Sequence, residues 1–219
     1  NGMTEIVAGN PVYVLRGNHD TGAYQDYYGL HNYALLLAEG LALIILDNAG
    51  RRFEAEGLAL LPKVLAMDEV KQAVIAFHIP VPNHFIPNSV SKEEYAQLKA
   101  AFMPWKDKVK CLVCGYVHSR FVDEKDGIPL VCTGGGGAFI EDVSEEIQAC
   151  DVNHHVVHFY LEEGRVMWRF QDLEEGCYGR ERRDGVLKEK LEETVKAELM
   201  AHLKYLTFAD RARRRGMDK

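Results

Sequence analysis

Five short apolar runs, each rich in branched side chains and free of alternating polar residues, constrain the fold more than any other feature. They occupy residues 11–15, 41–47, 72–77, 110–115 and 128–133. Continuous runs of this length are typical of strands that are covered on both faces. Helix-like stretches separate several of them, so the sequence predicts an α/β fold.

Two of the intervening stretches, residues 54–67 and 91–103, predict helices. The first contains Pro62, which we expect to start the main part of its helix, because proline suits a first helical turn. The second begins at Ser91, and Glu94 follows three residues later in the pattern of a capping box. Helices placed between strands in this way can cover the faces of the predicted sheet.

The last third of the chain predicts a β-hairpin and a long helix. The runs 154–162 and 165–171 are separated by a two-residue turn, which indicates a hairpin. Over residues 186–208, leucine or valine recurs at four-residue intervals, as on an amphipathic helix. We therefore expect a domain over 1–175 and an extension over 176–219, mainly one helix. That helix would pack on the domain or on a second subunit in a homo-oligomer.

The composition of the chain argues against two classes of partner, nucleic acids and membranes. The net charge of −7 argues against general nucleic-acid binding. No apolar run approaches the roughly 20 residues that span a bilayer, so no membrane partner is expected.

Cys111 and Cys114 have the spacing of a metal or redox pair, but both lie in one predicted strand, where residues three apart face opposite sides. A place in the core is the favoured interpretation of this pair.

Polar side chains follow three of the predicted strands. Asn18, His19 and Asp20 follow the first, His78 follows the third, and His118 follows the fourth. In open α/β folds, ligands bind at the carboxyl ends of the strands, so these side chains should share one site. Any one of these histidines alone would more readily be structural. Imidazole nitrogens and an amide oxygen together suit zinc, manganese or iron, and the set predicts a metal site.

In this order, the three strand ends resemble signature blocks of the calcineurin-like metallophosphoesterase superfamily. "GNHD" (17–20) matches the Gly-Asn-His-Asp/Glu block, "AFHIP" (76–80) is similar to the later His block, and "CGYVHSRFV" (114–122) is similar to the Gly-His-x-His block. The resemblance implies a two-layered mixed β-sandwich flanked by helices, which lacks its first strands and carries a C-terminal helix. It also implies a hydrolase, a phosphatase or phosphodiesterase, with a dinuclear site for Mn, Fe or Zn.

The resemblance also assigns roles by position. Asn18 and His78 would bind the second metal ion, and His118 would bind the first. His19 would contact the phosphate oxygens or protonate the leaving group, and Asp20 would orient the His19 ring; these two are the predicted catalytic residues. The implied reaction is hydrolysis of a small-molecule phosphate mono- or diester through attack of a metal-bound hydroxide.

The chain departs from the family pattern in two respects. The Asp-x-His and Gly-Asp blocks, which carry the remaining ligands and the bridging carboxylate, do not occur. We therefore expect an N-terminally incomplete domain that is inactive by itself. Tyr116 stands where the family has the first His of Gly-His-x-His, and a phenol is a poor metal ligand unless a metal lowers its pKa. It fits a one-metal variant, a decayed site or a sequence error. The alternative function is a non-catalytic member of the fold that serves in binding or assembly.

Five further residues have weaker cases. His84 either lines the same cleft or is an ordinary loop histidine. Arg16 and Arg120 either contact phosphate or form surface salt bridges, and the salt bridge is the favoured interpretation for both. His154 and His155 open the predicted hairpin, where a structural role is favoured.

Overall fold

The computed structural model describes residues 11–20, 22, 24–135 and 154–172. The predicted C-terminal helix lies outside the described residues, as does the predicted boundary between 1–175 and 176–219.

Six strands form one mixed sheet in the order β1-β2-β3-β4-β6-β5. Strands β2, β3, β4 and β6 are parallel neighbours, while β1 and β5 pair antiparallel at the two edges. The mixed sheet confirms the predicted α/β class. The six strands are β1 (Tyr33–Leu36), β2 (Leu41–Ile45), β3 (Gln72–Phe77), β4 (Val109–Cys114), β5 (Arg120–Lys125) and β6 (Ile128–Thr133).

Helices cover one face of this sheet. The three α-helices are α1 (Tyr24–Tyr28), α2 (Ala55–Leu65) and α3 (Lys92–Phe102), and short 3₁₀ turns occupy Ala38–Gly40 and Met103–Lys108. Leu61 of α2 and Leu98 of α3 are buried in the same apolar core as Ile75 and Leu112 of the sheet. Over the described part of the chain, no helix has the length and apolar character needed to cross a membrane.

A hairpin packs on the opposite face. Strands β7 (His155–Glu162) and β8 (Arg165–Asp172) pair antiparallel and confirm the predicted hairpin. Val166 of β8 shares a second apolar cluster with Val74, Cys111 and Val131, whose side chains leave the sheet on the side away from the helices. The described residues therefore form two β layers with helices outside one of them.

Helix α3 is capped as the sequence predicts, but only by half of the capping box. The Ser91 hydroxyl accepts a hydrogen bond from the Glu94 N–H at 3.2 Å. The Glu94 carboxylate does not return to Ser91. It accepts from the Phe53 N–H at 2.9 Å and so ties the start of α3 to the segment before α2.

The expectation for Pro62 was wrong. Helix α2 begins at Ala55 and continues through Pro62 to Leu65, so the proline lies in its last turn. The Leu58 N–H closes the first turn on the Glu54 carbonyl at 3.0 Å. The buried side of the helix includes residues before and after the proline, such as Gly57 and Val64, and this packing outweighs the one backbone hydrogen bond that proline removes.

The strand predicted over residues 11–15 was also wrong. This segment pairs with no strand among the described residues, and Val12 and Tyr13 are about half exposed. The Val14 carbonyl accepts instead from the hydroxyls of Tyr24 and Tyr33, each at 2.9 Å. Side chains thus satisfy the carbonyl that a strand would offer to its neighbour.

The two cysteines of the CxxC spacing face opposite sides of β4, as expected from strand geometry. Cys111 lies in the cluster beneath the hairpin, and Cys114 lies in the core beneath the helices. Burial raises the pKa of the Cys111 thiol to about 12, which disfavours the thiolate that metal binding or redox chemistry needs.

We expect Gly57→Ala to destabilise the protein although alanine is the better helix former. A Cβ at this position would clash with Asn32 Oδ1, which accepts from the Asp47 N–H. Alanine gains roughly 0.5–1 kcal/mol in a helix, while displacing a fixed buried neighbour costs about 1–3 kcal/mol. Urea denaturation should therefore show a lower free energy of unfolding.

Gly50→Ala is the matched control, because a Cβ there meets nothing within 4 Å. Its free energy of unfolding should stay within about 0.5 kcal/mol of the wild type. A Gly57→Ala protein as stable as this control would contradict the close packing of Asn32 on α2.

Candidate functional site

A cleft of about 730 Å³ lies where β3 and β4 end. His78 directly follows β3, and the segment from Gly115 to His118 follows β4. The structure brings all six sequence-predicted site residues to this cleft, and their individual roles stay predictions. They are Asn18, His19, Asp20, His78, Tyr116 and His118.

One buried side chain fixes the backbone at His78. Asn48 is fully buried, and its Oδ1 accepts from the N–H groups of His78 (3.0 Å) and Ile79 (2.9 Å). Its Nδ2 donates to the Ile79 carbonyl at 2.7 Å. The His78 carbonyl accepts from the Gly115 N–H at 3.1 Å, so the ends of β3 and β4 are joined directly. This network sets where the His78 ring enters the cleft.

Residues 17–20 form a tight turn beside His78. The Asp20 N–H donates to the Gly17 carbonyl at 3.1 Å, and Asp20 Oδ2 accepts from the Gly17 N–H at 2.8 Å. A Cβ on Gly17 would lie 3.3 Å from the His78 ring, so glycine permits this close approach. In the described part of the chain, the Asp20 carboxylate contacts Gly17 and not the His19 ring. The predicted orienting role of Asp20 stays a prediction.

The turn places two donor atoms for one metal ion side by side. Asn18 Oδ1 lies 2.8 Å from His78 Nε2. At 2.8 Å the pair has the distance of a hydrogen bond. An ion bound by both atoms at about 2.1 Å would replace the shared hydrogen and separate the two atoms to about 3 Å or more. An amide oxygen can only accept a hydrogen bond, so Nε2 carries the hydrogen in the absence of metal. His118 lines the same cleft and can supply a third ligand.

Burial lowers the pKa of His78 from its ordinary value of 6.5. The neighbouring imidazoles of His19 and His118 lower it further, whereas the carboxylates of Asp20 and Asp47 act in the opposite direction. His78 is therefore neutral at pH 7, which is the form of the ring that binds a metal ion.

A second group of potential ligands lies near the carboxyl end of β2 and was not predicted from the sequence. His31 Nδ1 is 3.3 Å from Asp47 Oδ2 and 3.6 Å from Glu54 Oε1. This His/Asp/Glu cluster could hold a metal ion. Its members come from three separate segments, so no local motif announces it. The one available signal was Asp47, a carboxylate at the end of an apolar strand.

Arg16 connects this cluster to the turn of residues 17–20. Its Nη1 lies 2.5 Å from Asp47 Oδ2, and its Nε donates to the Asp20 carbonyl at 3.1 Å. Asp47 is only 1% exposed, so the pair is not the surface salt bridge that the sequence favoured. Removing one partner of such a pair would leave an uncompensated buried charge, so Arg16 and Asp47 hold the turn in place together.

Tyr116 has a left-handed backbone, with φ of 67°, and its side chain contacts Arg51, Asn88 and His78. Its hydroxyl oxygen accepts from Arg51 Nη2 at 2.7 Å and from Asn88 Nδ2 at 2.9 Å. Its ring meets the His78 ring edge-on, with centroids 5.4 Å apart. Sequence reasoning missed Arg51 and Asn88 as partners of this residue, because they are 65 and 28 residues away in the chain.

The weaker candidates lie elsewhere. His84 does not line the cleft, and its Nδ1 pairs with Asp123 Oδ1 at 2.9 Å in a separate surface depression. Arg120 Nη1 lies 2.5 Å from Asp172 Oδ1, which joins the sheet to the hairpin. His155 is buried at the start of β7.

Comparisons with known proteins find distant structural similarity. No family model and no curated protein matches the chain. Among solved structures, the chain is similar to GAP50, the anchor in the inner membrane complex of Plasmodium (11% identity, TM-score 0.44, 72% of this chain and 59% of that chain). It is also similar to PhoD, with 13% identity and a TM-score of 0.38 over 51% of this chain and 32% of that chain. A candidate 5′-nucleotidase from Staphylococcus aureus matches with 11% identity and a TM-score of 0.42 over 84% of this chain and 37% of that chain.

The chain spans less than two thirds of the length of each of these three proteins. Sequence identities of 11–13% and TM-scores below 0.5 are too low to assign an activity to it.

In the metal-free protein, we expect the His78 ring to titrate with a midpoint below 6.5, because burial disfavours the imidazolium. The chemical shift of its Cε1 proton, followed by NMR against pH, measures this midpoint. The His78→Gln variant identifies the resonance. A midpoint at or above 6.5 would contradict the buried, neutral ring.

Proposed function

We propose that the protein is a metal-dependent phosphoesterase that hydrolyses a phosphate mono- or diester of a small molecule. The observation that carries the proposal is the meeting of Asn18, His78 and His118 with His19 at one cleft where two parallel strands end. Three neutral ligand side chains and a potential proton donor in one cleft are the parts that metal-assisted hydrolysis needs.

In this proposal, Asn18, His78 and His118 hold a divalent ion. A bound ion would neutralise charge on the phosphoryl oxygens and lower the pKa of water. The hydrogen bonds from Asn48 keep the His78 backbone in place, so ion binding requires only the loss of the Nε2 hydrogen and a small separation of the two side chains.

His19 is the proposed general acid. It is exposed in the cleft and makes no hydrogen bond with another side chain of the described segments, so its ring can turn toward a leaving group. Arg16 fixes the turn that carries His19 by pairing with Asp47. A proton donor held on a fixed turn contributes about 10²–10⁴-fold in typical enzymes.

The proposal extends to two ions, of Mn, Fe or Zn, only where further carboxylates join the cleft. Asp20 is the sole carboxylate among the described residues that line it. Two divalent ions close together bind poorly unless negative ligands offset their charge. The three neutral ligands by themselves suit one ion.

A non-catalytic binding or assembly module is the second candidate, and Tyr116 favours it. The Tyr116 hydroxyl already accepts hydrogen bonds from Arg51 and Asn88, so one family ligand is replaced by a residue engaged elsewhere. Metal binding without turnover would support this candidate over the enzyme.

We expect Asn18→Ala and His78→Ala to lower Mn²⁺ affinity and hydrolysis of an aryl phosphate by about 10–100-fold, because each removes a ligand. Metal binding is measured by equilibrium dialysis on the 219-residue chain. Hydrolysis is measured on the same protein, as release of the aryl alcohol.

His84→Ala is the matched control, since His84 is an exposed histidine that pairs with Asp123 outside the cleft. It should leave metal affinity and hydrolysis unchanged. Equal losses in all three variants, or no loss in any, would reject the proposed ligand set.

A further inference from the structure

Arg51, Asn88 and Tyr116 form a closed triangle of hydrogen bonds at the edge of the cleft. Arg51 Nη2 donates to Asn88 Oδ1 and to the Tyr116 hydroxyl, both at 2.7 Å. Asn88 Nδ2 donates to the same hydroxyl at 2.9 Å. Asn88 and Tyr116 also line the cleft. The triangle therefore joins the cleft wall to a cationic side chain.

The direction of each hydrogen bond in this triangle is fixed by chemistry. A guanidinium only donates, so the Asn88 atom facing Arg51 must be the amide oxygen. The Asn88 atom facing Tyr116 is then the NH₂ group, which also only donates. The Tyr116 oxygen consequently accepts two hydrogen bonds, which use both of its lone pairs.

Two consequences follow for Tyr116. Its oxygen has no lone pair left for a metal ion while Arg51 and Asn88 are in place. Its hydroxyl hydrogen has no acceptor among the described residues and can be donated only to solvent or to a ligand. The ring lies against His78, so the hydroxyl belongs to the same cleft as the proposed metal ligand.

The positive charge of Arg51 also favours a bound anion at this edge of the cleft. Within the described ranges, no carboxylate lies within salt-bridge distance of its guanidinium, whose partners are neutral: Asn88, Tyr116 and the Ser89 carbonyl. Its carbon lies 5.6 Å from the centre of the Tyr116 ring, over the ring face. A cation without a carboxylate partner beside an outward hydroxyl hydrogen is suited to a bound anion.

We propose that the Arg51–Asn88–Tyr116 triangle binds the phosphoryl oxygens of the substrate and selects phosphate monoesters over diesters. This inference rests on the proposed function, whose cleft it shares. A monoester dianion has three non-bridging oxygens, enough for both a metal ion and the Tyr116 hydroxyl. Its second charge is favoured by the positive charge of Arg51, which lies behind Asn88 and Tyr116. A diester has two such oxygens and one charge. Tyr116 is thus a specificity-determining residue in place of a metal ligand.

Isothermal titration of inorganic phosphate into the 219-residue protein, with and without Mn²⁺, tests this inference. Tyr116→Phe keeps the ring and removes the hydroxyl, so phosphate affinity should fall about tenfold or more. Asn88→Asp, at an exposed position, introduces a carboxylate that would capture the hydroxyl hydrogen and neutralise Arg51, and it should weaken phosphate binding similarly. Mn²⁺ affinity, measured separately by equilibrium dialysis, should be unchanged in Tyr116→Phe.

Tyr95→Phe is the matched control. The Tyr95 hydroxyl donates to Asp126 Oδ2 at 2.7 Å, away from the cleft, so its removal should not affect phosphate affinity. Dimethyl phosphate serves as the diester probe, and its weaker binding should depend little on Tyr116.

Each other outcome decides between the two proposals. Loss of Mn²⁺ binding in Tyr116→Phe would make Tyr116 a metal ligand and overturn the inference. Absence of phosphate binding in the wild type, or phosphate binding that is equal in all variants, would also overturn it, whether or not Mn²⁺ binds. Phosphate binding that depends on Tyr116 in a protein that binds no Mn²⁺ would sustain the triangle and reject the metal-dependent enzyme.

Discussion

The cleft depends on the amide of Asn48. This one side chain leaves the end of β2, crosses to the end of β3 and forms hydrogen bonds with both N–H groups and one carbonyl at His78 and Ile79. Asn48 is fully buried and cannot reach water, so the loss of any of these hydrogen bonds would leave a buried polar group unpaired. The His78 carbonyl then continues the network to Gly115 at the end of β4. Because both strand ends are held in register, the groups that follow them enter the cleft from fixed positions.

Much of this frame could be predicted from the sequence, because continuous apolar runs indicate strands that are covered on both faces. The positions of β2, β3, β4 and β6 followed from such runs, and so did the hairpin. Strands β1 and β5 were missed for physical reasons. They pair at the sheet edges, where β1 has only four residues and β5 has one buried residue, Phe121, among charged or partly exposed ones. The run at residues 11–15 was wrongly predicted to be a strand because it is apolar. Its Val14 carbonyl accepts hydrogen bonds from two tyrosine hydroxyls and not from a neighbouring strand.

The site was predictable only where it follows the strands. His78 and His118 could be placed at strand ends, but their surroundings depend on contacts between distant segments. Arg16 reaches Asp47 across 31 residues, and Arg51 reaches Tyr116 across 65. Such pairs leave no spacing pattern in a single sequence. They also determine the chemistry of the site. The Arg16–Asp47 pair anchors the turn beside His78. Arg51 and Asn88 occupy both lone pairs of the Tyr116 oxygen, so its hydroxyl can only donate a hydrogen bond to a group in the cleft.

The most direct measurement is an anomalous-scattering map from crystals of this chain grown with Mn²⁺. If the cleft is a metal site, a peak will lie about 2.0–2.3 Å from Asn18 Oδ1 and from His78 Nε2, and a ring nitrogen of His118 will be the third ligand. The Tyr116 oxygen should remain outside that distance. A map with no peak between Asn18 and His78, including one whose only peak lies among His31, Asp47 and Glu54, would contradict the assignment of this cleft as the metal site.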